Sequence, residues 1–211
     1  MAGLFITFEG PEAAGKTTQI RLLEETLRER GHSVLCTREP GGTPLAEGIR
    51  NILLTRGDEA VSMETELLLF AASRAQHVAQ LIRPHLEKGG IVICDRFIDS
   101  TAAYQGYARG VSLKLIDTLN RFAVGRTFPD LTFLLDLPME ETRRRLAKRD
   151  GCDGADRLEA EDNAFHQRVR EGFLEIAFRN RDRFRLIDAT APVGEISAYI
   201  RKEVCDAVEG L

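Results

Sequence analysis

Two periods of hydrophobic and polar positions alternate along the chain. Five short apolar runs, Leu4–Phe8, Ser33–Thr37, Ile91–Cys94, Thr132–Leu135 and Phe184–Ile187, have the length and continuity of strands buried on both faces of a parallel sheet. Helical patterns separate them. Thr17–Arg30 places Ile20, Leu23 and Leu27 on one stripe and stops at Gly31. Thr43-Pro44 reads as an N-cap followed by proline at the first helical position, and opens a helix to Thr55. Glu64–Glu87 reads as one long helix ending at Gly89-Gly90, and Ser112 as the cap of a helix to Val124. Met139–Lys148, Arg157–Arg179 and Glu195–Val208 complete the set. Strands alternating with helices predict a single α/β domain over residues 1–211. Helices should cover both faces of a five-stranded parallel sheet, with ligands at the carboxyl ends of the strands. The stretch "RDGCDGAD", 149–156, breaks the pattern. It is polar and Gly-rich between two helices, so a mobile lid is expected over roughly 143–158.

Composition narrows the function without choosing it. The chain is 43% hydrophobic and 29% charged, with a net charge of −4, which points to no strongly acidic or basic partner and advertises no nucleic acid. The four cysteines form no CxxC and no zinc spacing with His32, His77, His85 or His166. Cys36 and Cys94 lie in apolar runs and are expected to be small buried hydrophobes, and reduced thiols fit a cytoplasmic protein. "MAGLFITFEG" lacks the basic start and long apolar run of a signal peptide. No apolar stretch has membrane-spanning length, so no membrane partner is expected.

The chemistry begins after the first strand. Gly10-Pro11-Glu12-Ala13-Ala14-Gly15-Lys16-Thr17-Thr18 contains GxxxxGK[ST] between a strand and a helix, the context of a phosphate-binding P-loop. Glycines let backbone N–H groups approach phosphate oxygens, and the helix N-terminus adds partial positive charge. Lys16 reaches the β/γ-phosphates of ATP, and Thr17 offers its hydroxyl to Mg²⁺. A second metal-facing acid is expected at a strand end. Asp95 in "IVICD" is expected to take that role, since its strand end faces the same crevice; Asp136 in "TFLLD" competes for it, and spacing alone does not separate them. Glu12 is the anomaly, an acid inside a loop built for polyphosphate.

Further clusters bear on what receives the phosphate. Phe70 and Arg74 share a helix face, where a ring and a guanidinium can stack on a base and bond its carbonyl; Phe70 can equally be core. Thr101, Tyr104 and Gln105 fall at i, i+3 and i+4, on one face or on a plain polar surface. Arg38, Arg50 and Arg96 follow or flank strand ends, and a planar guanidinium suits phosphate. Arg143, Arg144, Arg145, Lys148 and Arg149 precede the Gly-rich stretch. They form either a solvated helix face or the base of a lid that brings a cation to the transferring group.

Together "FEGPEAAGKTTQ", "TREPGGTPLAEGIR", "LLFAASRAQHV", "CDRFIDSTAAYQG", "FPDLTFLLDLP" and "DRLE" before "FHQRVREGFLEIA" resemble the bacterial type of the thymidylate kinase family, in the family's order. The resemblance implies transfer of the γ-phosphoryl group of ATP to dTMP, with Mg²⁺, in dTTP biosynthesis, by a cytoplasmic homodimer with a P-loop-type five-stranded sheet. It implies that Glu12 binds the sugar 3′-hydroxyl, that Phe70 stacks on thymine and that Arg74 bonds its carbonyl. Arg50 and Arg96 would hold the acceptor phosphate, Thr101 and Gln105 would contact the base, and Tyr104 would pack against the deoxyribose. Lys16, Arg96 and the lid arginine Arg149 would be catalytic, with Arg145 as the alternative to Arg149. Adenine would lie near the lid and Ala189–Val193. The family usually has glycine where Ala13 stands, so a positive φ there would be strained.

The chemistry agrees with a phosphate acceptor. A phosphate monoester has a second pKa of about 6 and needs orientation rather than deprotonation at pH 7. A sugar hydroxyl would need a general base. A deoxynucleoside kinase is the alternative within the class, with Glu9 the acid it would need. A P-loop switch or motor is the alternative outside it, and neither an NKxD sequence nor an Asp-Glu pair after "IVIC" is present.

Overall fold

All five apolar runs form strands: β1 (Leu4–Glu9), β2 (Val34–Arg38), β3 (Ile91–Asp95), β4 (Leu131–Asp136) and β5 (Phe184–Asp188). They form one sheet in the order β2-β3-β1-β4-β5, every pair parallel. The structure, a computed structural model, describes residues 3–55, 60–149, 157–158 and 161–209; of Arg149 only the backbone is described. Of the lid expected over 143–158, residues 150–156 lie outside the described residues, as does the Arg149 side chain.

Alternation along β1 explains the layers. Leu4, Ile6 and Phe8 face one side, with Leu23 and Leu27 of helix α1 (Lys16–Glu29) and Ile200 and Val204 of the last helix. Phe5 faces the other side, with Val78, Ile82, Phe97 and Val124. Thr7, on the side of Phe5, is fully buried, and its hydroxyl is satisfied by that of Thr132 on β4 at 2.8 Å. Helices therefore cover both faces, as the pattern predicts. Of the cysteines expected to be buried, Cys94 is fully so; Cys36 on the outer strand β2 is only half-buried.

The helices depart from expectation where backbone hydrogen bonding is special. α2 (Pro44–Leu54) starts as read, with the Thr43 hydroxyl accepting from Ala46 N at 3.2 Å. The helix expected over Glu64–Glu87 is continuous from Met63 to Glu87, as α3 (Met63–His77), a wider π turn at Val78–Ile82, and α4 (Arg83–Glu87). Pro84 cannot donate a backbone bond, and the wider turn ends two residues before it. α5 (Ile98–Thr101) continues into a second π segment, Ala102–Ala108, which carries Tyr104 and Gln105. Ser112 stands at the start of α6 (Leu113–Val124), but its side chain makes no capping bond, contrary to expectation. α7 spans Met139–Arg149. α8 is Asn163–Arg179, shorter than expected, because Asp162 caps it by accepting from Phe165 N at 2.7 Å. Arg157 lies in a turn instead, its N–H on the carbonyl of Leu54. α9 is Val193–Glu209.

The Ala102–Ala108 segment is held in place by close contact with α8. A Cβ at Gly172 would stand 2.6 Å from Cβ of Tyr107. Gly172→Ala should therefore force the two apart and destabilise the protein by about 1–3 kcal/mol, measured by urea unfolding. An unchanged midpoint would show that the segment is not clamped there.

Candidate active site

The sheet order creates the site. β3 lies beside β1 although β2 precedes it in the chain, and Asp95 pairs in register with Phe8. The turn after β1 and the turn after β3 thus open into one cleft of about 340 Å³ at the carboxyl edge, the position at which open α/β sheets hold ligands.

The turn after β1 has the backbone a phosphate loop requires. At Gly10 φ is 132°, and a Cβ would stand 2.3 Å from the carbonyl oxygen of Leu135, so only glycine fits. Gly15 is left-handed at φ 93° and leads into α1, whose first turn contains no acid. Lys16 is nearly buried, with Nζ on the carbonyls of Pro11 at 2.9 Å and Gly10 at 3.3 Å. Burial, and then the Arg96 charge, lower its pKa, while Glu12 and Asp95 work the other way. Thr17, Thr18 and Ala14 line the same cleft.

Arg96 closes the loop from the other side. Its Nη1 donates to Gly10 O at 3.0 Å and Ser100 Oγ at 3.3 Å; its Nη2 is paired with Glu12. The guanidinium lies 5.3 Å over the ring of Tyr104. The residue itself is left-handed, φ 67°. Glu12 is therefore no intrusion into the phosphate cradle. It faces across the cleft, tied to the arginine of the next turn but one-quarter exposed.

The structure also separates the two candidate metal-facing acids. Asp136 is held by both Nε and Nη2 of Arg170, at 2.6 and 2.8 Å, and does not line the cleft. Asp95 does line it with Thr17, and its Oδ1 is buried without a hydrogen-bond partner among the described residues. A buried carboxylate oxygen left without a donor, in a cleft that Thr17 also lines, fits a hard cation. Among the described residues no group of three protein ligands occurs, and Mg²⁺ at phosphoryl-transfer sites takes few protein ligands.

The opposite wall is built by side chains of α2, α3 and the helical segment 98–108. Arg50 donates to Pro40 O at 2.9 Å. Phe70 is 8% exposed and lines the cleft, so the ring is wall rather than deep core. Arg74 is almost fully buried, donating to Glu39 Oε2 at 2.7 Å, Asn120 Oδ1 at 2.7 Å, Thr101 Oγ1 at 3.0 Å and Phe97 O at 3.2 Å. Gln105 donates to Glu66 Oε1 at 2.8 Å. Thr101, Tyr104 and Gln105 all reach the cleft, as their spacing suggested. Arg145 reaches the donor side from α7, bonding Ala13 O at 3.2 Å and Ala189 O at 2.8 Å.

Comparison with known proteins agrees with this geometry. The family model "Thymidylate kinase" matches residues 8–200. A thymidylate kinase of Pseudomonas fluorescens is 52% identical over 93% of this chain and 92% of its own. One from Geotalea daltonii is 47% identical over 99% of each. The chain belongs to the thymidylate kinase family. The crystal structure of the thymidylate kinase from Ehrlichia chaffeensis superposes with a TM-score of 0.74 at 38% identity, covering 99% of both chains.

Within this thymidylate kinase family fold, Ala13 has φ 56°, so the strain anticipated from the missing glycine is present. A left-handed alanine costs on the order of 1 kcal/mol. Side chains that the sequence reading did not single out turn out to hold the wall: Glu39, Asn120 and Glu66. Glu66 had a signal. It stands four residues before Phe70 and eight before Arg74, on the same helix face, as the last acid ahead of an apolar run. Glu39 and Asn120 had none, since their role depends on distant partners.

Glu9, the acid that a nucleoside kinase would need, does not line the cleft. It is fully buried and accepts from Phe97 N at 2.8 Å, Ser100 Oγ at 2.6 Å and Ser100 N at 3.3 Å. Burial and then the neighbouring Asp99 charge push its pKa up to about 8. A carboxyl raised in this way binds more protons folded than unfolded, so its contribution to stability is full below pH 4.5 and is lost as pH rises to about 8. Glu9→Gln should flatten the fall in stability across that window, read from urea midpoints at successive pH values. An unaltered profile would assign the pH dependence to other groups.

Proposed function

We propose that this cleft transfers the γ-phosphoryl group of ATP to dTMP, giving dTDP and ADP, and so feeds dTTP synthesis. The observation that carries this reading is the bridge made by Arg96 and Glu12 between a phosphate loop and a wall that presents an aromatic ring, buried amide and guanidinium donors. The loop from Gly10 to Thr18 takes the donor phosphates, with Lys16 released from its loop carbonyls onto the β/γ-oxygens. Mg²⁺, held by Thr17 and Asp95, would supply further neutralisation of charge between these phosphates. Arg50 and Arg96 orient the acceptor phosphate. Phe70 stacks on the thymine, Arg74, Thr101 and Gln105 contact its polar edge, and Tyr104 packs against the sugar. The Glu12 carboxylate, already turned across the cleft by Arg96, accepts from the 3′-hydroxyl.

In the transfer an oxygen of the dTMP phosphate attacks the γ-phosphorus in line. The bond from that phosphorus to the β–γ bridging oxygen breaks, and ADP leaves with the electron pair. The acceptor is mostly dianionic at pH 7, so no general base is required. Arg149 is our choice for the cation that meets the developing charge. Arg145 is bound to the loop and strand-end carbonyls of Ala13 and Ala189, which suits the donor side better. A coupled assay of ADP formation should show turnover with dTMP and none with thymidine. Arg149→Ala in the same assay should lower kcat by about 10³ with KM for ATP nearly kept. Turnover with thymidine but not dTMP would overturn the acceptor assignment; a normal kcat would move the cation elsewhere.

A cytoplasmic homodimer is part of the proposal. Three neighbouring helices carry apolar residues one helical turn apart on their outer faces: Leu45, Ile49 and Ile52 on α2, Leu68 and Ala72 on α3, and Leu115, Leu119 and Phe122 on α6. Phe122 is 88% exposed and Leu45 60%. An apolar surface shared by adjacent helices is what an isologous interface buries. Cys36, Cys94 and Cys205 are free thiols, in keeping with a reducing compartment. No helix among the described residues is long and apolar enough to cross a membrane. Sedimentation velocity should give a dimer, and Phe122→Glu a folded species of half that mass. A monomer without the substitution would overturn the assignment.

A further inference from the structure

Glu66 is the most heavily used acid in the protein among the described residues, and no step of the reaction employs it. Its side chain is 1% exposed. Four hydrogen-bonding or ionic contacts converge on it: from Gln105 Nε2 at 2.8 Å, from Arg109 Nε at 2.8 Å and Nη2 at 3.3 Å, and from Arg157 Nη2 at 2.5 Å. Arg109 in turn reaches Glu161 at 2.8 Å, and Arg157 reaches Leu53 O at 2.8 Å. Two guanidiniums would be enough to hold a buried carboxylate. The third donor, Gln105, is the one that also lines the cleft.

The chemical consequence lies in the two ends of an amide. A primary carboxamide donates from nitrogen and accepts at oxygen, and can be turned end for end at little cost in shape. A carboxylate flanked by two guanidiniums accepts and does not donate. Gln105 must then keep its nitrogen toward Glu66, which leaves its Oε1 at the opposite end. No described residue donates to that oxygen. A pyrimidine whose N3 carries hydrogen, as in thymine or uracil, donates to such an oxygen. Cytosine has an unprotonated N3, and two acceptors would face one another.

We propose that Glu66 is a positioning residue for acceptor selection: it fixes the Gln105 amide with its oxygen toward the base and thereby favours pyrimidines bearing N3–H. This rests on the base lying beside Gln105 under the function proposed above. Glu66 touches no substrate and acts only through Gln105. The guanidiniums of Arg109 and Arg157 serve the same end by keeping the carboxylate from turning away.

The test compares dTMP with 5-methyl-dCMP, which keeps the ring methyl and sugar phosphate and changes only the N3 and C4 pattern. In Glu66→Gln the single acceptor oxygen is claimed by the arginines, and the new NH₂ can donate to Gln105 Oε1, turning that amide round. The ratio of kcat/KM for dTMP over 5-methyl-dCMP should fall about tenfold, mostly through KM, with KM for ATP nearly unchanged. Glu66→Asp keeps the charge for Arg109 and Arg157 but withdraws the oxygen from Gln105, and should lower the same ratio even if the glutamine variant does not fold. In a Gln105→Ala background, changing Glu66 should leave the ratio where Gln105→Ala has already put it. A folded Glu66 variant with undiminished selectivity overturns the proposal, and so does a Glu66 effect that persists without Gln105. Should Gln105→Ala itself leave selectivity intact, the base is not beside Gln105, and the placement of the acceptor falls together with the role of Glu66.

Discussion

The guanidinium of Arg96 is the joint on which the site depends. It follows β3 directly, and β3 lies against β1, so its donors reach the Gly10 carbonyl and the Glu12 carboxylate across the carboxyl edge of the sheet. Without that pairing the phosphate loop and the acceptor wall would be two unconnected surfaces. Arg96 sits in left-handed backbone, as does Ala13 in the loop it faces. Strain at both positions is held by the surrounding sheet and is consistent with a site shaped for ligands rather than for stability. Lys16 shares the Gly10 carbonyl with Arg96, so two cationic side chains are confined close to one another in the cleft.

Beyond this joint, the acceptor wall is a chain of buried polar groups rather than an apolar pocket. Arg74 is fixed by Glu39, Asn120, Thr101 and the Phe97 carbonyl, and Glu39 also meets His77 at 3.0 Å. Gln105 is fixed by Glu66. Each of these groups would be costly to bury alone, and their mutual satisfaction leaves few alternative rotamers. A reader of hydrogen-bond patterns on a flat base needs that rigidity, because selectivity comes from unmade bonds with the wrong base. The outer faces of α2, α3 and α6 carry the apolar stripes of the proposed dimer, so helices that build this wall also form the layer that a partner subunit would press on.

Much of this was legible along the chain. The five strands, the alternation with helices and the phosphate loop follow from local periodicity and from glycine, lysine and threonine at short spacing, which need no knowledge of distant residues. Phe70 with Arg74, and Thr101 with Tyr104 and Gln105, were visible as helix faces for the same reason. The errors occurred where a local signal met a long-range one. The helix expected over Glu64–Glu87 is present but widens into a π turn at Val78–Ile82, and the one expected from Arg157 starts only after Asp162, with Arg157 tied to α2 and to Glu66.

What the sequence by itself determined is therefore the class of fold, the phosphate loop and the helix faces that carry Phe70 with Arg74 and Thr101 with Tyr104 and Gln105, since these rest on residue type and spacing. Only the tertiary structure shows that Asp95 lines the cleft while Asp136 does not. Both end a β-strand with the same shape of sequence, but β4 delivers Asp136 to Arg170, whereas β3 delivers Asp95 to the loop. The tertiary structure also turned Glu9 away from the cleft, turned Glu12 into it, and gathered Gln105, Arg109 and Arg157 around Glu66. These assignments depend on which strands and helices become neighbours, and a buried charge finds its partner through that packing, not through position in the chain.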